Sequence, residues 1–276
     1  MRTVLEVIQA TTDFFTRKGV ESPRLNIEHL LAHVLGKKRM ELYLEFDRPL
    51  ADTELEPLRL LVRRRADGEP LQHLLGTVEF HGRVFKSDSR ALIPRPETEL
   101  LCEKLLARPA VPTRVLDVGT GSGIIALTLA EAWPKADVTG VDISSDALKL
   151  ARENATALGL AERVTFLESD LLAAVDDRFD LIVANLPYIA ESEMAGLARE
   201  VHFDPKVALV AGKSGREIIE RLIAECPRVL KGTLALETGC DQGDALAPVL
   251  TDHNFHDIEV LADYEGRSRF IFAHHG

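Results

Sequence analysis

Three groups of residues in this 276-residue chain combine types and spacings that chemistry can use. The first is Asp117-Val118-Gly119-Thr120-Gly121-Ser122-Gly123, preceded by the apolar Val115-Leu116 and followed by the apolar run Ile124 to Ala130. That pattern predicts a strand, a glycine turn and a buried helix. Glycines serve where backbone turns through positive φ or must approach a ligand with no Cβ in the way. The turn opens on a helix N-terminus, whose free N–H groups face whatever is bound. The second is Asp142, which ends the apolar segment Val138-Thr139-Gly140-Val141. In nucleotide-binding α/β sheets an acid at this distance takes ribose hydroxyls. The third is Asn185-Leu186-Pro187-Tyr188, directly after the apolar Leu181 to Ala184, with Asp170 in the corresponding place after the preceding strand. Each has a bland reading when taken singly: a tight turn, or a turn signal with Tyr188 filling core. In strand order they fall at carboxyl ends of successive strands, where open α/β sheets bind ligands, and so should face one crevice.

The elements that must position these residues follow from the apolar pattern. Strand cores are expected at Val115-Leu116, Val138 to Val141, Val164 to Leu167, Leu181 to Ala184 and Leu234 to Leu236, with helices between them. Ser145 to Leu158 puts Ala147, Leu148, Ala151, Ala155 and Leu158 on one helical face. Strands that are continuously apolar, not alternating, imply a sheet covered on both sides. The tail adds Ile258 to Leu261 and Phe270 to Phe272, expected to pair antiparallel at the sheet edge. Upstream, residues 1–85 read as helical. Val4, Leu5, Ile8 and Phe15 share a face; Ser22-Pro23 predicts an N-cap with proline in the first turn, and Gly36 ends that helix. A further helix is expected from about Asp52 to Gly68. Val78 to Lys86, around His81-Gly82, predicts a short hairpin connector, and Glu97 to Leu106 a helix after Pro94 and Pro96. The domain division is therefore 1–85, helical, and 86–276, α/β.

Composition narrows the class. A hydrophobic content of 46% indicates a chain with a real core. The net charge of −11 argues against general affinity for nucleic-acid backbone. No signal-peptide core and no membrane-length apolar run are present. Cys102, Cys226 and Cys240 are widely spaced and in no metal pattern, so a reducing cytoplasm is the expected setting. His29 and His33 have metal-ligand spacing but no third ligand, and no metal is expected. Arg63-Arg64-Arg65 is expected to be a solvated helix face.

The Gly-x-Gly-x-Gly spacing is similar to the S-adenosylmethionine loop of class I methyltransferases. Asn185-Leu186-Pro187-Tyr188 resembles the Asn/Asp-Pro-Pro-Tyr motif of methyltransferases acting on planar amino or amide nitrogen. Gly68 to Gly76, Glu79-Phe80, Leu92 to Glu99, Ser22 to Leu25 and Glu237-Thr238-Gly239 resemble the bacterial release factor glutamine methyltransferases, over nearly the whole chain. The resemblance implies a class I methyltransferase fold: a Rossmann-like, mostly parallel sheet with an antiparallel edge strand, behind a small helical domain and a hairpin connector. It implies transfer of a methyl from S-adenosylmethionine, leaving S-adenosylhomocysteine and using no metal, to N5 of the glutamine in the Gly-Gly-Gln loop of class 1 release factors. Asp117, Gly119, Thr120, Gly121, Ser122 and Gly123 would hold the cofactor, with Asp142 on its ribose, Asp170 on its adenine edge, and Asn185 beside it. Asn185 Oδ1 and the Leu186 carbonyl would accept from the substrate amide, Pro187 would stiffen the loop, and Tyr188 would pack on the planar amide. Residues 1–85 would recognise the protein substrate. Leu186 stands where this family usually has proline, and Asn-Leu-Pro-Tyr is the form typical of rRNA adenine dimethyltransferases. A nucleic-acid adenine N6-methyltransferase is thus one alternative, opposed by the net charge and by Pro94 to Glu99. A non-catalytic binding module is another, disfavoured by the intact tetrapeptide.

Overall fold

The computed structural model describes residues 2–240 and 242–276. They divide into two units: residues 2–77 with Ala198–Phe203, and Val78–Leu197 with Asp204–Gly276.

The first unit packs helices α1 (Val4–Lys18), α2 (Pro23–Leu35), α3 (Asp52–Ala66) and α4 (Leu71–Leu75). Thr3 and Glu6 form a reciprocal capping box at the start of α1, which satisfies free N–H groups there. The buried stripe of α1 is Val4, Val7, Ile8 and Phe15, so Val7 takes the place expected of Leu5. Helix α2 ends at Gly36 as expected, but its start differs. Ser22 lies in the left-handed region at φ 45° and its side chain caps nothing; instead Asn26 Nδ2 donates back to the Glu21 and Ser22 carbonyls. The basic run is not a uniform solvated face either. Arg63 is exposed and Arg64 pairs with Glu69, but Arg65 is buried, donating to Asn26 Oδ1 (2.6 Å) and the Glu69 carbonyl and pairing with Glu200. Its register on α3 turns it inward beside the buried Leu55, Leu58 and Ala66.

A hairpin of β1 (Thr77–Phe80) and β2 (Arg83–Lys86) turns at His81 and Gly82, both at positive φ, which a two-residue type I′ turn requires. Then follow α5 (Pro96–Leu106), β3 (Arg114–Val118), α6 (Ile124–Ala132), β4 (Asp137–Asp142), α7 (Ser145–Ala157), β5 (Val164–Glu168) and β6 (Phe179–Asn185). The chain continues through α8 (Glu217–Glu225), β7 (Leu230–Glu237), α9 (Gly243–Asp252), β8 (His256–Ala262) and β9 (Ser268–His275). Among the described residues, strands β3 to β9 form one sheet in the order β5-β4-β3-β6-β7-β9-β8. The first five in that order run parallel. Strand β9 is antiparallel to both neighbours, inserted between β7 and β8 and leaving β8 at the edge.

Successive strand residues serve opposite cores, which is why the strands read as continuously apolar. On β6, Leu181 and Val183 join one apolar cluster with α5 and α6, while Ile182 and Ala184 join the other with α8 and α9. The strand order reverses at β3, with β4 on one side and β6 on the other. Val118 lies beside Ala184, so the chains leaving β3 and β6 diverge at Gly119 and Asn185. A crevice at such a switch point is where α/β sheets bind ligands.

Candidate active site

The glycine loop is fixed from below and from the side. The Gly119 and Thr120 N–H groups both donate to the Val141 carbonyl, at 2.8 and 2.9 Å. Gly119 has φ +73°, which favours glycine, and a Cβ there would fall 2.7 Å from Leu186 Cδ2, so a larger residue would have to displace that side chain. Asp142 joins two loops: Oδ2 accepts from Gly121 N and Oδ1 from Ser144 N, each at 2.8 Å. Burial pushes its carboxyl up, against these N–H donors. Each oxygen keeps a further lone pair for a ligand hydroxyl.

Gly119 to Ser122 form one wall of the crevice, with Asp142 at its edge and Ser169 to Leu171 beyond. Asn185, Leu186 and Pro187 form the facing wall, and Arg90 to Leu92, Pro94 and Thr98 line it from the segment before β3. Three expected site residues lie off these walls. Asp117 is wholly buried beneath the loop; its Oδ2 accepts from the Thr120 hydroxyl (2.6 Å) and Ala126 N (3.1 Å), while Oδ1 has no hydrogen-bond partner among the described residues. Burial pushes this carboxyl up to about 7. Gly123 caps α6 and closes against Ala151. Tyr188 packs partly buried against the apolar cluster on the α8 face, its phenol pushed up to about 12 chiefly by burial. Asp170 does line the crevice, but its carboxylate already holds Arg221 at 2.8 Å.

Around Asn185 the chain assembles a polar cluster. Asn185 Nδ2 donates to Thr98 Oγ1 at 2.9 Å. Glu237, at the end of β7, stands opposite Asn185 in register and is buried. Burial pushes its carboxyl up to about 7 and nearby Glu97 adds to this, while hydrogen bonding from Thr98 and Asn185 and the charge of Arg269 oppose it. The segment carrying Pro94 is pinned by buried Asp204, which accepts from Ile93 N (3.3 Å) and pairs with Arg95 (3.1 Å). Burial pushes Asp204 up to about 6. Sequence reasoning did not assign Thr98, Asp204, Arg221 or Glu237 to the site. Thr98 and Glu237 lie inside the segments that carry the family resemblance, which was the available signal; nothing local marks Asp204 or Arg221. Among the described residues no group of three or more His, Cys, Asp or Glu side chains is arranged to hold a metal ion.

The crevice thus offers a glycine loop at a helix start, a carboxylate beside it and a carboxamide opposite. That set can hold a nucleoside and present a hydrogen-bond acceptor to a second, planar polar group.

Comparison with known proteins agrees with this chemistry. Residues 6–76 match the family described as PrmC N-terminal domain, and residues 95–213 the methyltransferase small domain. The release factor glutamine methyltransferase of Chlorobaculum tepidum is 43% identical over 281 residues, covering 96% of this chain and 95% of that protein. That of Escherichia coli is 40% identical over 253 residues, covering 90% and 91%. Among solved structures, the Thermus thermophilus 16S rRNA N2 G1207 methyltransferase, in complex with AdoMet and guanosine, superimposes with a TM-score of 0.52 at 21% identity, over 72% of this chain and 49% of that one. A methyltransferase from Pyrococcus furiosus gives 0.53 at 16% identity, over 69% and 87%. These two likenesses show the fold. The full-length relatives show more: this chain belongs to the release factor glutamine methyltransferase family.

Proposed function

We propose that this enzyme methylates N5 of the glutamine in the Gly-Gly-Gln loop of class 1 peptide chain release factors, with S-adenosylmethionine as donor. The observation that carries this reading is the juxtaposition of Gly119 and Asn185 at the divergence of β3 and β6, in a chain with full-length relatives of that name. The residues present suit the cofactor. Asp142, already aligned by Gly121 N and Ser144 N, can accept ribose hydroxyls, and Gly119 to Ser122 form a wall free of large side chains. When bound, S-adenosylmethionine supplies a methyl already activated by its sulfonium, so no metal is needed for that step. A glutamine amide nitrogen is a poor nucleophile, because its lone pair is delocalised into the carbonyl. Asn185 Oδ1 and the Leu186 carbonyl accept the two amide hydrogens, hold the nitrogen in line for attack and favour lone-pair localisation in the transition state. Leucine at 186 keeps that carbonyl, and its side chain is buried in the apolar cluster on the α8 face. Residues 1–85 serve to recognise the protein substrate, and the reaction takes place in the cytoplasm.

The test is a radiolabelled methyl-transfer assay offering a release factor, the same factor with its Gly-Gly-Gln glutamine replaced by alanine, a ribosomal protein and RNA. Label on the intact factor alone supports the proposal. Label on RNA, or on the alanine variant at the intact rate, overturns it.

A further inference from the structure

Asn185 can work as an acceptor only if its carboxamide faces the crevice oxygen first. A primary amide is nearly symmetric in shape, and its two ends differ only in hydrogen-bond polarity. Something nearby must therefore distinguish Nδ2 from Oδ1. Within the tetrapeptide, no group of Leu186, Pro187 or Tyr188 is hydrogen-bonded to the Asn185 side chain, whose bond goes to Thr98.

The distinguishing groups come from two other elements. Thr98, in the first turn of α5, is buried and places Oγ1 2.9 Å from Asn185 Nδ2. Glu237, at the end of β7, is buried directly across the ladder from Asn185. Thr98 and Asn185 are polar neighbours that favour the ionised form of this carboxyl, against the burial that opposes it. Ionised, that carboxyl only accepts, and a Thr98 O–H turned towards it is the arrangement that favours its charge. The lone pairs of Oγ1 then face Asn185, and only an N–H can meet them. Polarity passes in this way from the ionised acid, through the hydroxyl, to the amide. Nδ2 is thereby engaged by Thr98, while Oδ1, on a residue that lines the crevice, accepts no hydrogen bond from the described residues.

We infer that Thr98 and Glu237 are positioning residues of the methyl-transfer site, which act through Asn185 by locking its carboxamide with Oδ1 towards the substrate amide. The inference rests on the catalytic reading of Asn185 given above. Neither residue touches the substrate nitrogen. The backbone reinforces the arrangement: Thr98 N donates to the Arg95 carbonyl at 3.0 Å, and Arg95 is held by buried Asp204, so the hydroxyl stands on an anchored turn.

The test measures single-turnover methylation of release factor by Thr98→Val, Thr98→Ser, Glu237→Gln and Asn185→Ala, alone and in double variants with Asn185→Ala. Thr98→Val keeps the shape and removes the hydroxyl; its rate should fall about tenfold, the equivalent of one hydrogen bond, with KM and cofactor affinity within about twofold. Thr98→Ser should stay within about twofold of wild type. Glu237→Gln, which can present either end of its own amide to Thr98, should also be slower. In the Asn185→Ala background, Thr98→Val and Glu237→Gln should have no further effect, because the group they orient is gone. The inference is overturned if Thr98→Val retains full rate, if Thr98→Ser is as slow as Thr98→Val, or if either loss persists undiminished in the Asn185→Ala background. Should Thr98→Val fail to fold, Glu237→Gln and its double variant decide by the same criteria. Normal methylation by Asn185→Ala would instead remove the catalytic reading beneath the inference.

Discussion

Leu186 Cδ2 lies 2.7 Å from the point where a Cβ on Gly119 would fall, so the glycine loop and the Asn-Leu-Pro-Tyr turn are packed as one body. Gly119→Ala adds that clash to a left-handed φ of +73°, which L-residues adopt at a cost. The expected loss of stability is about 1–3 kcal/mol, with weaker cofactor binding. Leu186→Ala costs about 2–5 kcal/mol by itself, as a buried side chain, but it relieves the clash and not the φ. The loss caused by Gly119→Ala should therefore be smaller, though not zero, in the Leu186→Ala background when measured by chemical denaturation. An equal loss in both backgrounds, or no loss to begin with, would show that the two segments are not coupled in this way.

Asp142 bridges the glycine loop and the start of α7 while keeping lone pairs for a ligand. Charge-assisted hydrogen bonds to ribose hydroxyls contribute roughly 1.5–3 kcal/mol each. Asp142→Ala should therefore weaken S-adenosylmethionine at least about tenfold by calorimetry. Unchanged affinity would take Asp142 out of the cofactor site.

Asp117 carries a pH signature. Its carboxyl is pushed up to about 7 in the folded chain from an ordinary value of 3.8. Between these values the folded state holds a proton that the unfolded chain gives up, so this group's contribution to stability falls as pH rises from about 4 to about 7 and is level beyond. Asp117→Asn carries no titrating proton but retains an acceptor for Thr120 and Ala126. Relative to that variant, wild type should be most favoured near pH 4 and lose ground up to about pH 7. A difference in stability that is flat with pH would mean that Asp117 is ionised in the fold at its ordinary value.

Arg63 and Arg65 are neighbours in sequence with opposite structural roles. Truncating exposed Arg63 to alanine should change stability by no more than about 0.5 kcal/mol. Arg65→Ala leaves Asn26 Oδ1 without its donor and should cost about 1–3 kcal/mol, the Glu200 pair being discounted for its half-exposed carboxylate. Thermal melts of the two variants check this, and equal melting temperatures would contradict it.

Much of this architecture was legible in the sequence because it depends on local pattern. The strands of the parallel layer are apolar at consecutive positions since Leu181 and Ile182, for example, serve different cores. His81-Gly82 specifies its own turn, and Asp142 and Asn185 are marked by ending such strands. What escaped depends on groups brought together across the chain. No spacing links Thr98 on α5 to Glu237 on β7, or Asp204 to Arg95. The insertion of β9 between β7 and β8 follows from sheet pairing, which two short apolar runs near the C-terminus leave undetermined. Ser22 shows the limit of cap rules: a serine before proline has the expected letters, yet its left-handed backbone directs the side chain away from the helix N–H groups.

The central claim is that Asn185 acts on the reacting amide, and one measurement bears on it most directly. Loss of one preorganised hydrogen-bonding group in an active site typically lowers rate by ~10²–10³. Asn185→Ala should lose about that factor in single-turnover methylation of a release factor, with S-adenosylmethionine affinity far less affected and the protein still folded, its melting temperature lowered by no more than about 10 °C for the lost bond to buried Thr98. A variant that methylates at the wild-type rate, or that fails to fold, would contradict the account and leave the tetrapeptide a structural turn.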